Sequence, residues 1–330
     1  MVTRKIGNLS VSAVGYGCMG LSHGYGATPI KEDSVKLIRT AFELGCNFFD
    51  TAEGYAFGQN EELLGEAAAP IRDNVVLATK FGGPKVVGDH LEAQELTQAE
   101  IRAHCEESLR RLKTDHIDLY YQHRVSVQVP VEEVAECVGQ LIKEGKVLEW
   151  GLSQSTAEEI RRAHSVTPLA AVQSEYSMME REVEKEVLPV CKELGISLVP
   201  FSPLASGFLS GKYKAGAEFK GDDVRRFITR FDDDNVRKNQ PLLELLDEFA
   251  LRKNATYAQI ALAWLLAKDE HIVPIPGGRN PQRMSENFGA ANVIFTPEEF
   301  AELESRLNAI TIYGNRTDED IVFHTDKLNS

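Results

Sequence analysis

Short apolar runs alternate with helical patterns along this chain. Eight runs, rich in β-branched and aromatic residues, are almost continuously apolar and do not alternate with polar positions. Strands of a parallel sheet that is covered on both faces have this character. The predicted strands are Val11–Tyr16, Cys46–Asp50, Val75–Thr79, Ile117–Tyr121, Val147–Leu152, Leu169–Gln173, Ile196–Phe201 and Ile272–Ile275.

The stretches between these strands carry helix signals. An apolar face over residues 35–42 ends at Gly45, which is a common helix stop. Thr97 with Glu100, and Thr296 with Glu299, have the spacing of a capping box ahead of an apolar face. Eight alternations of strand and helix predict a (β/α)8 barrel, with an open doubly wound sheet as the alternative.

Two stretches fall outside the repeat. Residues 1–10 predict an N-terminal β-hairpin that plugs the bottom of the barrel. A polar loop from Leu204 to Gln240 and two extra helices, Leu242–Arg252 and Thr256–Ala267, separate the last two strands. We predict a single domain over residues 1–330, because no linker, low-complexity tract or internal repeat interrupts the pattern.

A glycine motif near the N-terminus imitates a dinucleotide-binding fingerprint. Gly15–Gly20 matches GxGxxG after a predicted strand. A Rossmann fold would require a helix at Gly20 and an acidic residue about 20 residues later. Gly-rich loop sequence instead runs to Pro29, and Asp50 comes thirty residues after Gly20. The match therefore indicates only a tight turn at the rim of the barrel.

Composition and charge exclude several classes of function. The formal net charge is -14, which disfavours a general affinity for nucleic acid or an anionic membrane. The five cysteines are scattered without a CxxC pair and the histidines without an HExxH motif, so no disulfide framework or metal site is predicted. Without an apolar leader or a run long enough to span a bilayer, the chain is expected to be cytoplasmic.

Chemistry in a (β/α)8 barrel lies at the carboxyl ends of the strands. Asp50, Lys80 and His123 end successive predicted strands, and Tyr55 follows Asp50 in the same loop. Taken singly, all of these except Lys80 are more common in a structural role, and it is their joint occurrence that favours catalysis. The other predicted strand ends carry Gly17, Ser153, Gln173, Ser202 and Gly277.

The segments around these residues resemble the aldo-keto reductase family. Residues 47–55 (NFFDTAEGY) are similar to its Asp/Tyr stretch, Ala78-Thr-Lys80 to its lysine strand, and DLYYQHR at 118–124 to its histidine strand. GLSQ at 151–154, FSPLASGFLSGKY at 201–213 and IPGGRNPQRMSEN at 275–287 follow in order. The last two look like the branches that contain bacterial general reductases, plant alkaloid reductases and potassium-channel β-subunits.

The four residues make chemical sense for carbonyl reduction. A Tyr55 phenol would protonate the carbonyl oxygen, and a nearby Lys80 would favour the phenolate. At ~4 Å and an effective dielectric of ~20, the attraction is ~4 kcal/mol, an upper limit of about three pKa units. Asp50 would keep Lys80 charged, and a neutral His123 would donate a hydrogen bond to the substrate.

A cofactor site is predicted at the last strand. Arg279 and Arg283 follow Gly277 at the start of a helix, where they could bind the 2′-phosphate of NADPH or NADP+. By the resemblance, Ser153, Gln154 and Gln173 would hold the nicotinamide carboxamide, although Gln154 replaces the commoner Asn. The resemblance also implies cofactor contacts from Gly17, Cys18, Met19, Asp50, Ser202, Pro203, Leu204, Ser206, Gly207, Lys212, Glu286 and Asn287.

We therefore expect a small-molecule carbonyl substrate, with Tyr25, Phe57 and Phe81 as lining residues. Two alternatives stay open. One is a regulatory or binding module on the same fold, as in the channel β-subunits. The other is a Schiff-base aldolase with Lys80 as the nucleophile, which Asp50 disfavours because it would keep that lysine charged.

Overall fold

The computed structural model describes residues 2–87 and 90–315, and its first element is an antiparallel hairpin. The hairpin consists of β1 (Thr3–Ile6) and β2 (Leu9–Ser12). Ile6 and Val11 pack into an apolar cluster with side chains of the parallel strands, so the hairpin closes the end of the sheet where those strands begin. The N-terminal hairpin predicted for residues 1–10 is thus confirmed, although it extends to Ser12.

Seven parallel strands form the central sheet, and consecutive strands of this sheet are neighbours. The strands after the hairpin are β3 (Tyr16–Gly17), β4 (Phe48–Asp50), β5 (Val76–Phe81), β6 (Lys85–Val87), β7 (His90–Glu92), β8 (Ile117–Gln122), β9 (Val147–Ser153), β10 (Ala171–Glu175) and β11 (Ser197–Phe201). The order in the central sheet is β11-β10-β9-β8-β5-β4-β3, and the pair β6 and β7 lies outside it.

The strand predicted at Val11–Tyr16 is divided in the structure. Arg4 pairs with Val11, so this part of the backbone is used by the hairpin. Only Tyr16 and Gly17 pair with β4 in the barrel. The apolar run was continuous because both of its halves are buried, and burial alone does not show where the chain leaves one sheet and enters another.

The stretch predicted as the eighth strand closes the barrel between β11 and β3. The amides of Val273 and Ile275 donate to carbonyls of β11, at 2.9 and 3.0 Å, and Leu198 forms a parallel bridge with Ile272. On the other side, Gly15 N donates to Pro274 O at 2.9 Å, and Gly17 N donates to Pro276 O at 3.2 Å. Proline has no amide hydrogen, so Pro274 and Pro276 accept hydrogen bonds from Gly15 and Gly17 but cannot donate in return. The closing segment is therefore not a regular strand.

Helices surround the sheet, and the predicted start and stop signals are confirmed. Thr97 and Thr296 form capping boxes with Glu100 and Glu299, and Gly45 adopts φ 97° after the first helix. The helices are α1 (Lys31–Glu43), α2 (Gln59–Ala68), α3 (Gln98–Leu112), α4 (Val131–Lys143), α5 (Ala157–Val166), α6 (Val187–Leu194), α7 (Asp233–Lys238), α8 (Gln240–Lys253), α9 (Tyr257–Lys268), α10 (Pro281–Gly289) and α11 (Pro297–Asn308).

Two apolar layers follow from the alternation of side chains along each strand. Tyr121 belongs to the cluster inside the barrel, whereas its neighbour Tyr120 packs against Phe81 in the layer between strands and helices. Together these layers form the (β/α)8 barrel that the alternation predicted. Within residues 2–87 and 90–315, no helix has the length and apolar character that crossing a membrane requires.

We expect Gly151→Ala to lower the free energy of unfolding by about 1–3 kcal/mol, because over-packing in a close-packed interior is costly. A Cβ at Gly151 in β9 would lie 2.7 Å from the ring of Tyr121 and would also meet the carbonyl oxygen of Ala171. Urea denaturation measures the effect. Gly54→Ala is the matched control, since nothing lies within 4 Å of that position. Equal stability of the two variants would contradict the close contact.

Candidate active site

A cavity of about 600 Å³ opens at the carboxyl ends of the barrel strands. Side chains and backbone from strand ends and the following loops form its wall, as expected for this type of barrel. The strand-end residues predicted from the sequence lie together here: Gly17, Asp50, His123, Ser153, Gln173, Ser202 and Gly277.

A buried ion pair lies at the floor of this cavity, with Asp50 in the wall and Lys80 behind it. Lys80 is 1% exposed, and its Nζ lies 2.5 Å from Asp50 Oδ1 and 2.8 Å from the carbonyl oxygen of Thr51. A third, longer hydrogen bond of 3.5 Å reaches Tyr55 Oη. The second carboxylate oxygen, Asp50 Oδ2, accepts from Gln173 Nε2 at 2.8 Å. Each charge therefore has the partners that compensate for its removal from water.

The charge state of Lys80 follows from these contacts. Burial by itself lowers the pKa of Lys80, but the adjacent Asp50 and Tyr55 oppose it, and the net pKa lies above the usual value. Lys80 is therefore an ammonium group near neutral pH. Burial also raises the pKa of Asp50, against the opposing effect of Lys80 and Gln173.

The pKa of Tyr55 differs from the expectation. Burial raises it above the usual value, and this effect outweighs the lowering by Lys80. Asp50 also raises it, because the carboxylate repels a phenolate. The attraction to Lys80 alone predicted a lowered pKa for Tyr55, and this prediction is wrong because burial has the larger effect.

His123 is neutral in this environment. Burial is the largest cause of a pKa well below the usual value, and the charges of Lys80 and Arg124 act in the same direction. Its ring lies edge-on to Tyr55, with 6.0 Å between the ring centroids. Among the described residues, its buried Nδ1 has no hydrogen-bond partner.

The stretch after β11 lines one side of the cavity, as the resemblance implied. Several residues adopt the left-handed conformation there, with φ 47° at Ser202, 54° at Ser206 and 95° at Gly207. The hydroxyl of Ser206 is buried and has no partner within the described part of the chain. Pro203, Leu204 and Lys212 belong to the same wall.

Arg279 lines the cavity but is already held by the loop after β3. Its Nε and Nη1 donate to the carbonyl oxygens of Gly20 and Ala27, at 2.5 and 2.6 Å, while Nη2 is buried without a partner in residues 2–87 and 90–315. Arg283 is exposed on the first turn of α10. Arg283, Glu286, Asn287 and Met19 are also in the cavity wall.

Five predicted site residues lie outside the cavity wall, and one of them, Lys80, is buried behind Asp50 and Tyr55. Phe57 is 99% exposed, because the left-handed backbone at Ala56 and Phe57 turns it outward. Phe81 faces Tyr120 on the helix side of β5, since it alternates with Lys80. Cys18 is buried behind the wall, and the exposed Gln154 directs its Oε1 to the amide of Glu175, at 3.4 Å.

A model of the Aldo/keto reductase family matches residues 13–308. The chain belongs to the aldo/keto reductase family.

Solved structures of the family are similar over nearly the whole chain. A glycerol dehydrogenase from Gluconobacter oxydans is 27% identical, with 94% of this chain and 96% of that chain aligned and a TM-score of 0.84. The holo form of an aldo-keto reductase from Bacillus halodurans is 27% identical, covering 95% and 98%, with a TM-score of 0.74. An aldo/keto reductase from Klebsiella pneumoniae in complex with NADP and acetate is 25% identical, covering 96% and 98%, with a TM-score of 0.71.

Several residues that line the cavity of this aldo/keto reductase family member were not predicted from the sequence, whereas Tyr25 was predicted and does line it. The residues that were not selected include His23, Arg124, Tyr213 and Arg225. They lie on loops, where no periodicity marks a position as facing a site. Arg124 alone had a usable signal, because it directly follows the strand-end His123.

Glu53 joins the Tyr55 loop to two neighbouring elements. Its carboxylate accepts from the amide of Gly82 at 2.8 Å and lies 2.7 Å from Nδ1 of His104 on α3. This hydrogen bond is the main reason why the pKa of His104 is raised. The contact therefore restrains the loop between Asp50 and Tyr55 most strongly when His104 is protonated.

We expect the stabilisation provided by His104 to depend on pH. Because Glu53 raises the folded-state pKa, the contribution is fully present below the unfolded value of about 6.5 and is lost as pH rises through the folded value. The difference in unfolding free energy between wild type and His104→Gln should thus shrink from about pH 6 to about pH 9. Urea denaturation at both pH values checks this, with Glu53→Gln as the background in which the pH dependence should disappear. Its persistence there would contradict the pairing.

Proposed function

We propose that this protein is an NADP(H)-dependent reductase that converts aldehydes and ketones to alcohols. The observation that carries the proposal is the buried contact of Lys80 with both Asp50 and Tyr55 at the floor of the cavity. A lysine ammonium beside a tyrosine hydroxyl is an arrangement for transferring a proton to a carbonyl oxygen. Family membership and the relative from Klebsiella pneumoniae that holds NADP support the choice of cofactor.

The cavity has polar groups that fit a nucleotide cofactor. The buried Ser206 hydroxyl and Nη2 of Arg279 both lack partners among the described residues, and a phosphate would supply acceptors for them. Arg283 would pair with the 2′-phosphate, and Gln173 with Ser153 would hold the nicotinamide amide. When bound, the cofactor supplies the hydride that carbonyl reduction requires.

The protein's own residues would manage the proton. Tyr55 Oη would donate its proton to the substrate oxygen, and the phenolate left behind would gain the attraction of the Lys80 ammonium. The raised ground-state pKa keeps Tyr55 protonated and ready to donate. Asp50 would keep Lys80 charged, and the neutral His123 would donate a hydrogen bond that orients the carbonyl.

The geometry supports a reductase over a Schiff-base aldolase. A nucleophilic lysine must be neutral, but the net pKa of Lys80 is raised. Its amino group also contacts three oxygen atoms, on Asp50, Thr51 and Tyr55. A purely regulatory role would not explain why these two charged groups are buried, since removing them from water costs free energy.

We expect Tyr55→Phe to lower turnover of a simple aldehyde with NADPH by about 10²–10⁴-fold, the contribution of a general acid. NADPH affinity should stay within a few-fold, because only the phenolic hydroxyl is removed. Absorbance of the cofactor measures turnover, and fluorescence titration measures binding. Tyr313→Phe, a partly exposed tyrosine outside the cavity wall, is the control. Near-normal turnover by Tyr55→Phe would remove the proposed mechanism.

We expect Arg283→Ala to weaken NADPH binding by roughly ten- to a hundredfold, since a charge-assisted hydrogen bond contributes about 1.5–3 kcal/mol. NADH lacks the 2′-phosphate, so its affinity should barely change. Fluorescence titration with both cofactors is the measurement. Arg283 is a cleaner probe than Arg279, which also holds the loop at Gly20 and Ala27. The exposed Arg110→Ala is the charge-matched control, and equal losses for both cofactors would contradict phosphate recognition.

A further inference from the structure

His23 lies in the cavity wall against the proposed proton donor. It belongs to the loop after β3, and its ring centroid is 5.2 Å from that of Tyr55, with the rings tilted by 52°. His123 contacts the same phenol ring, so imidazole rings from two different loops lie against Tyr55. In the proposed reduction His123 orients the carbonyl, and His23 has no role.

A buried hydrogen-bond network favours one of the two neutral tautomers of His23. The network is centred on Asn60, which is 1% exposed. Asn60 Nδ2 donates to the carbonyl oxygen of Cys18, at 3.0 Å, and this contact defines the orientation of the amide because a carbonyl can only accept. The same nitrogen donates its second hydrogen to Ser22 Oγ at 2.8 Å, and Oδ1 accepts from Thr51 Oγ1 at 2.6 Å.

Ser22 connects Asn60 to His23. Its hydroxyl oxygen accepts from Asn60, and we infer that its own hydrogen is donated to Nδ1 of His23, 3.2 Å away. Nδ1 is then the acceptor of a neutral imidazole, and Nε2 carries the hydrogen. The chain Asn60–Ser22–His23 thus produces an N–H donor on the ring that lines the cavity.

The surroundings of His23 keep the imidazole neutral. Burial lowers its pKa below the usual value, and the nearby Arg279 acts in the same direction. Asp222 opposes them, but the net shift is downward. The ring is therefore a neutral donor at physiological pH, suited to an uncharged oxygen and unable to form an ion pair with a substrate carboxylate.

We propose that His23 binds a second oxygen of the substrate, so that the preferred substrates are carbonyl compounds with a hydroxyl or oxo group on the adjacent carbon. This inference rests on the proposed reductase function. A carbonyl oxygen placed at Tyr55 and His123 brings the neighbouring carbon toward the remaining imidazole, because both rings contact one phenol. A plain aldehyde would leave the N–H of His23 without a partner, and sites built around such a donor discriminate against analogues that lack the acceptor.

The test compares propanal with its 2-hydroxy derivative, which differ only in that oxygen. Wild type should have the higher kcat/KM for the hydroxyaldehyde, by roughly two- to tenfold, which is the range for one neutral hydrogen bond. His23→Leu should remove this preference by lowering kcat/KM for the hydroxyaldehyde more than kcat/KM for propanal. His23→Gln keeps an N–H donor and should restore part of the preference. His271→Leu, a half-exposed histidine outside the cavity wall, should behave as wild type.

The outcomes separate the two proposals. Turnover of both aldehydes with no preference in wild type, or an equal loss for both in His23→Leu, overturns the role of His23 and leaves the reductase function standing. Absence of NADPH oxidation with either aldehyde would instead count against the reductase function.

A second measurement tests His23 without turnover. Nitrogen-15 NMR of the labelled histidines should show His23 as the Nε2–H tautomer, and Ser22→Ala should weaken that preference. Propane-1,2-diol should shift the His23 Nε2 resonance, whereas propan-1-ol should not. An Nδ1–H tautomer, or an equal response to both alcohols, overturns the inference whatever the activity assay shows.

Discussion

The ion pair between Lys80 and Asp50 is the interaction on which the rest of the site depends. A lysine ammonium that is 1% exposed is tolerated only because a carboxylate and a backbone carbonyl accept from it at hydrogen-bond distance. Asp50 is held in turn by Gln173 from β10, so the pair connects β5, β4 and the opposite side of the barrel. Loss of either charge would leave the other buried and uncompensated, which explains why an acidic and a basic residue end neighbouring strands.

The segment that closes the barrel requires a close approach of two backbones beside the cavity. Pro274 and Pro276 remove two amide donors, yet their carbonyls still accept from Gly15 and Gly17. A side chain at Gly17 would bring a Cβ within 2.8 Å of the carbonyl oxygen of Ile275. Gly17 of the GxGxxG match is therefore required by barrel closure, whereas a side chain at Gly20 would make only ordinary contacts.

Loops from distant parts of the chain are joined to one another around the cavity. Arg279 holds the carbonyls of Gly20 and Ala27, and the amide of Gly24 donates to Asp222 at 3.0 Å. On the other side, Glu53 joins the Tyr55 loop to Gly82 and His104. These contacts hold loops from distant parts of the chain against one another around the cavity.

The sequence by itself predicted the barrel, its hairpin, its helix caps and the group Asp50, Lys80 and His123, because period, capping and strand ends are local patterns. The tertiary structure decided that Phe57 turns outward, that Arg279 holds a neighbouring loop and that His23 lies against Tyr55. It also decided that burial outweighs Lys80 in raising the pKa of Tyr55. The physical reason is common to all four. Left-handed loop conformations, contacts between distant loops and the removal of side chains from water depend on the fold of the whole chain, so the spacing of residues along the sequence does not predict them.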